Sequence, residues 1–357
     1  MKIIKEKVLS EKEKHYSYPI KVDSDEDVVS LSDAKSTGMI FLGEKEINYP
    51  KLWDSEEFKL PFNEFLLKEY DNSYFRMIGI ENFTYYCEGS RVEALNIEPS
   101  YVDLEFDRVF SALNYGGYIW QHFVQDALPI IAFAREFLEQ NPDVTILLYE
   151  GVNRKSISDF FLNKLNLKNP VYYVPNYTPF RYAEILARAN KLYLLDCNNH
   201  MPCYWWNNFF YQEANEFILR DEKFENKNLI YLNRNKTATS RIFINEEETV
   251  DYLKQYAEKN DLNFIDYIDT NYTIEETFDI FKNAHTVVGC HGGANYNIIF
   301  CPKGTKFIEY VFTDCMYTLY NIASSIELDY FIVPNRGTNM SEGALVKINK
   351  LQRLLEK

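Results

Sequence analysis

The sequence predicts an α/β protein made of two doubly wound domains facing each other across a cleft. Three observations carry that expectation. Strand-like and helix-like segments alternate from residue 144 to the C-terminus, broken only near 196–228. A chain of 357 residues suits two domains better than one. An apolar run, Thr286-Val287-Val288-Gly289, stops at Cys290-His291-Gly292-Gly293 and leads into a short helical pattern, as a parallel strand does at its carboxyl edge. The break divides the chain into domains 1–198 and 199–357.

In order along the chain, residues 1–50 are polar, with an acidic cluster at 23–27. Residues 74–113 alternate aromatic and polar groups and predict several short strands. Asn114-Tyr115-Gly116-Gly117 is a turn. Ile119, Phe123, Ala127, Ile130, Ile131, Ala134 and Leu138 follow helical spacing and predict a helix over 118–139. Pro129 kinks or splits it. Strands follow at 144–148, 171–174 and 191–195, with a helix over 156–165. The segment 197–206 breaks the rhythm with Pro202 and two tryptophans, ahead of a helix over 207–220. The second half predicts strands at 229–232, 263–267, 286–289, 306–310 and 330–333. Its helices are 246–259, capped by Asn245, and 273–282, where Thr273 and Glu276 form a capping box. Two more cover 314–325 and 343–355.

The bulk properties narrow the partners. A net charge of −15 lacks the basic footprint of a nucleic-acid binder and is repelled by anionic lipid. A phosphorylated ligand therefore needs a local cationic site set against the overall field. No apolar run has the length of a membrane span, and the N-terminus has no apolar signal core, so a cytoplasmic protein is expected. None of the six cysteines forms a C-x-x-C pair, which fits free thiols. The 28 tyrosines suit sugar-binding surfaces as well as cores, and leave both open.

Two stretches carry candidate chemistry. In 285–309 the paired glycines allow a tight turn and close backbone approach, and the following helix start offers free N–H groups to an anion, phosphate above all. The same pattern also serves an ordinary βα connection. In 231–248 the strand ends near Leu232, which places Arg234, Lys236 and Arg241 in its carboxyl-edge loop. A guanidinium suits phosphate because its planar fork donates two hydrogen bonds and stays charged. The other reading is a solvated basic loop paired with Glu246, Glu247 and Glu248.

The order Tyr231-Leu232-Asn233-Arg234, Arg241, Asn245-Glu246, Phe281 and Ala284, then His291-Gly292-Gly293-Ala294, Asn297, Phe300, Pro302, Gly304 and Glu309, resembles glycosyltransferase family 61. A fainter upstream block, Asn114-Tyr115-Gly116 with His122, Asp126 and Leu128-Pro129, is similar to the family's Asn-rich turn and the helix after it. The block carries extra residues between the glycines and His122, and residues 1–100 show no match. The resemblance implies a GT-B fold of two Rossmann-like domains, the N-terminal one on the acceptor side and the C-terminal one holding a nucleotide sugar. It implies inverting transfer of xylose or a similar pentose, or of N-acetylglucosamine, from a UDP-sugar to a hydroxyl of a glycan or glycoprotein. By the same resemblance Arg234 and Arg241 hold the diphosphate, and His291, Gly292, Gly293 and Ala294 form the turn beneath it. Asn297 supports that turn or touches the nucleotide, and Glu309 takes the ribose hydroxyls.

Inverting transfer needs a base for the acceptor hydroxyl and a cation for the departing diphosphate. The two arginines and the helix start meet the second need, so no metal or other cofactor is expected beyond the UDP-sugar. His122 and Asp126, four residues apart on one helix face, are the candidate base; a buried structural His–Asp hydrogen bond is the alternative. His291 is a third candidate. A metal-dependent GT-A transferase using Asp23 and Asp25 as a D-x-D signature is a second enzyme reading. A non-catalytic nucleotide-sugar or glycan-binding module is the reading from another class.

Overall fold

The computed structural model describes residues 2–8, 21–22, 29–30, 41–42, 47–48, 64–78, 92–95, 98–113, 118–175, 184–197, 208–311, 319–334 and 343–357. The expected turn at Asn114 to Gly117, the Asp23/Asp25 pair and most of the 197–206 break lie outside these residues. The architecture is mixed α/β, and the chain forms two compact units. The first comprises residues 1–14 and 60–218, the second 15–59 and 219–357.

The first unit holds strands β1 (Lys2–Val8), β2 (Glu64–Ile78), β3 (Val92–Leu95), β4 (Leu104–Ser111), β5 (Thr145–Tyr149), β6 (Val171–Val174) and β7 (Glu184–Cys197). They form one seven-stranded sheet in the order β1-β2-β7-β4-β5-β6, with β3 on β2. Strands β7, β4, β5 and β6 are mutually parallel. Strands β1, β2 and β7 pair antiparallel. The sheet is therefore half parallel and half an antiparallel wing, where the sequence predicted a doubly wound domain. The several short strands expected over 74–113 appear as the end of β2, β3 and β4, and β2 itself runs unbroken for 15 residues from Glu64. Its Asp71-Asn72 pair looks like turn chemistry, and Asn72 does take φ 47°. Pairing with β7 resumes on both sides, Lys191 opposite Asp71 and Ala189 opposite Ser73, so the ladder overrides the local turn signal. The core here gathers Phe75, Met77, Val109, Leu147 and Leu192, each fully buried. Each such side chain contributes about 1.5–3 kcal/mol by leaving water.

The second unit holds β8 (Asn228–Leu232), β9 (Asn263–Tyr267), β10 (Ala284–Cys290), β11 (Lys306–Val311) and β12 (Asp329–Pro334). All five are parallel, in the order β9-β8-β10-β11-β12. The two-residue strand Val29–Ser30 closes onto β12 antiparallel, followed by Lys21–Val22. Strands β8 and β11 are buried at every position, the mark of a parallel sheet covered on both faces. The helix Ile274–Lys282 starts on the expected capping box: the Thr273 hydroxyl accepts from the Glu276 amide, and the Glu276 carboxylate accepts from the Thr273 amide. Asn245 occupies the cap position of Glu246–Lys259 but makes no cap bond. Its amide group instead pairs with both backbone groups of Val346, at 2.9 Å each.

Candidate active site

In the second unit the chain order of the strands is 2-1-3-4-5, so the connections leaving β8 and β10 turn to opposite sides of the sheet. Open parallel sheets take ligands at that point, at the carboxyl edge. The two loops that meet there are the ones carrying Arg234 and Arg241, after β8, and His291 to Ala294, after β10.

The arginine loop is held by two asparagines. Asn233 Nδ2 donates to Asp266 at 2.7 Å, and its Oδ1 accepts from the Lys236 amide. Asn235 donates to the Phe243 carbonyl and accepts from its amide, at 2.8 and 2.9 Å. This clasp folds the loop back so that residues seven apart become neighbours. Arg234 Nε donates to the Ser240 carbonyl at 2.9 Å. Burial, and next the Arg241 guanidinium beside it, push the Arg234 pKa below the ordinary arginine value. Arg241 sits at φ 55°, a left-handed backbone that costs a non-glycine residue about 1 kcal/mol. Among the described residues neither guanidinium pairs with a carboxylate. The alternative of a loop neutralised by Glu246 to Glu248 is not what forms, and Glu246 accepts from Tyr231 instead. Among the described residues, two like charges are thus held together without a carboxylate partner.

The glycine turn lies against the same arginine. A Cβ on Gly292 would stand 2.8 Å from Arg234 Nη1, so glycine leaves the space the guanidinium occupies. A Cβ on Gly293 would meet nothing within 4 Å. The helical turns after it are 3₁₀ over Gly293–Phe300; Gly293 and Ala294 are half-buried and everything from Asn295 to Phe300 is buried.

Beneath the turn is a polar cluster. His291 Nδ1 lies 2.7 Å from Glu309 Oε1, which also accepts from Asn295 Nδ2 at 3.2 Å. Tyr330 donates its hydroxyl to Glu309 Oε2. Glu309 is fully buried, and both its oxygens are engaged by protein side chains. Asn297 is buried and donates to the Tyr267 hydroxyl at 3.2 Å. Burial pushes the Tyr267 phenol up to about 12, so it stays a neutral hydrogen-bonding group. Sequence reasoning missed Asn295 and Tyr330 as members of this cluster. Asn295 lies inside the Gly-Gly stretch, but nothing in its spacing tells it from Asn297.

His122 and Asp126 belong to the first unit, on the helix that follows β4. His122 Nδ1 is 2.8 Å from Asp126 Oδ2, with Asp126 fully buried and His122 nearly so. The interruption expected at Pro129 takes the form of a π segment, Phe123–Ala127, between Trp120–His122 and Leu128–Gln140. Proline has no N–H for the carbonyl four residues back and clashes with it. That carbonyl is Gln125, and the Tyr211 hydroxyl takes it at 2.8 Å. The wider turn displaces the chain around Pro129 while keeping His122 and Asp126 on one side.

A family model described as Glycosyltransferase 61 matches residues 120–308, just over half of the chain and including both candidate dyads' histidines and both arginines. No curated protein matches the chain.

Proposed function

The chain belongs to glycosyltransferase family 61, and from that premise we propose that it is an inverting, metal-independent transferase moving a pentose such as xylose, or N-acetylglucosamine, from a UDP-sugar to a glycan or glycoprotein hydroxyl. In this reading the two units are the halves of a GT-B enzyme, the second holding the donor. The observation that carries the reading is the pair Arg234 and Arg241, which among the described residues has no carboxylate partner, beside Gly292 at the sheet's switch point. The diphosphate supplies the missing negative charge. Gly293, whose open side has room for a ligand atom, lets phosphate oxygens reach the amides that start the 3₁₀ helix.

The first unit supplies the base. A histidine that donates from Nδ1 to a carboxylate keeps its lone pair at Nε2, and the carboxylate stabilises the imidazolium formed when the ring takes a proton. His122 takes the acceptor hydroxyl proton, the oxygen attacks the anomeric carbon, and the bond to the β-phosphate breaks with its electron pair going to the diphosphate. Arg234 and Arg241 stabilise that charge. Glu309 contributes through His291 and Asn295, fixing the turn on which the diphosphate rests.

A thermal-shift screen with UDP, GDP, CMP and their sugars tests this, since a ligand of the native state raises its apparent stability. UDP and a UDP-sugar are expected to raise Tm most, and transfer is expected to survive EDTA. Activity lost in EDTA and restored by Mn²⁺ would replace this reading with a metal-dependent one.

A further inference from the structure

Arg154 is 3% exposed. Its Nε and Nη1 are buried without a hydrogen-bond partner, and among the described residues no carboxylate pairs with it. Its guanidinium carbon stands over the Phe123 ring, 4.5 Å from the ring centre. Burial lowers its pKa to about 10, with the Tyr173 phenol acting the other way, so it is still a cation at neutral pH. An unpaired buried charge is expensive, and a native structure that keeps one requires an explanation.

Its position supplies one. Arg154 opens the 11-residue helix Arg154–Lys164, directly beyond the carboxyl end of β5. The cap residue, Asn153, is left-handed at φ 52° and makes no side-chain cap bond; the Arg154 amide donates to the Gly151 carbonyl at 3.1 Å, which leaves the Lys155 and Ser156 amides as the donors at the helix start among the described residues. Arg154 Nη2 reaches back over Gly151, 3.0 Å from where a Cβ would stand, and that Cβ would also strike the Tyr118 carbonyl at 2.3 Å. The guanidinium is thereby pinned at the helix start. Phe123, the ring beneath it, directly follows His122 in the chain.

We infer that Arg154 and the start of its helix form an oxyanion-binding site in the first unit, and that the acceptor sugar presents a carboxylate or phosphate group to it. The acceptor half of this statement rests on the proposed division of labour between the units; the site itself does not. Arg154 is neither part of the donor cluster nor of the His122–Asp126 pair.

The test measures binding of glucuronate, glucose 6-phosphate and neutral glucose to the full chain by calorimetry at constant ionic strength, with UDP affinity measured in parallel. Wild-type protein is expected to bind one or both anionic sugars saturably and at least tenfold more tightly than glucose; which one distinguishes a carboxylate from a phosphate acceptor. Arg154→Met is expected to lose that preference, Arg154→Lys to keep part of it, and both to bind UDP as wild type does. If Arg154→Met does not fold, Arg154→Lys and the wild-type comparison decide. Anionic sugars bound no better than glucose by the wild type, or an undiminished preference in a folded Arg154→Met protein, would overturn the site whatever UDP does. Failure of UDP binding alone would instead remove the donor reading.

Discussion

Each unit carries a buried histidine whose Nδ1 is held by a carboxylate, and the two pairs are built in different ways. His122 and Asp126 are four residues apart, on successive turns of one helical segment. His291 and Glu309 are 18 residues apart and meet only because β10 and β11 lie side by side with Gly289 opposite Glu309. His291, two residues beyond Gly289, then stands over that carboxylate. A slip of one residue between these strands would turn Glu309 to the other face and break the pair. The first pair depends on a helix and on the Tyr211 bond that supports its π turn; the second reports on sheet register. The difference suggests different work. In the proposed mechanism the local pair is a self-contained acid–base unit, whereas the distant pair, tied down by Asn295 and Tyr330 as well, fastens a turn to the sheet.

Substitutions can break or sharpen that contrast. The largest effect is expected from His122→Ala and Asp126→Ala, with turnover reduced by about 10²–10⁴-fold, the scale of a lost general base. UDP affinity by calorimetry is expected to hold in both, and wild-type turnover in both would leave the first pair purely structural. Next comes Arg241→Ala. Losing a charged hydrogen bond weakens UDP binding by about 1.5–3 kcal/mol, and unchanged affinity would take Arg241 out of the donor site.

Gly293→Ala separates ligand from fold in the second unit. The added methyl meets no protein atom within 4 Å, so thermal stability is expected to hold. UDP affinity is expected to fall about tenfold, or roughly 1.4 kcal/mol, if phosphate oxygens approach this backbone; full affinity would show that they do not. The smallest effect is expected from Tyr211→Phe, which strips the Gln125 carbonyl of the hydroxyl it holds. A loss of about 1 kcal/mol in stability is expected, with reduced turnover and normal UDP binding. Denaturant midpoints together with the two assays would show whether the π turn serves the first pair alone.

Much of the second unit can be read directly from residue order. Its inner strands, such as β8, are largely apolar runs because both faces are covered, and its helices start at local signals such as Thr273 and Glu276, which lie within one turn of each other. The His122–Asp126 spacing and the disturbance at Pro129 are equally local, and both are visible as spacing in the chain. The antiparallel wing of the first unit is different. Pairing of β2 with β7 joins residues more than a hundred positions apart, and it carried the chain through Asn72 where local chemistry favours a turn. The closing of Val29–Ser30 onto β12 leaves no periodic trace in a two-residue strand.

Residue types and spacing, together with their order's resemblance to a known family, were enough to mark two arginines, a glycine turn and a histidine–aspartate pair, because each is carried by residues within a few positions. The isolation of Arg154, the burial of Glu309 and the convergence of Arg234 on Gly292 had to wait for the folded chain. Whether a charge has a partner depends on which distant segments the sheet brings beside it, and no local pattern encodes that.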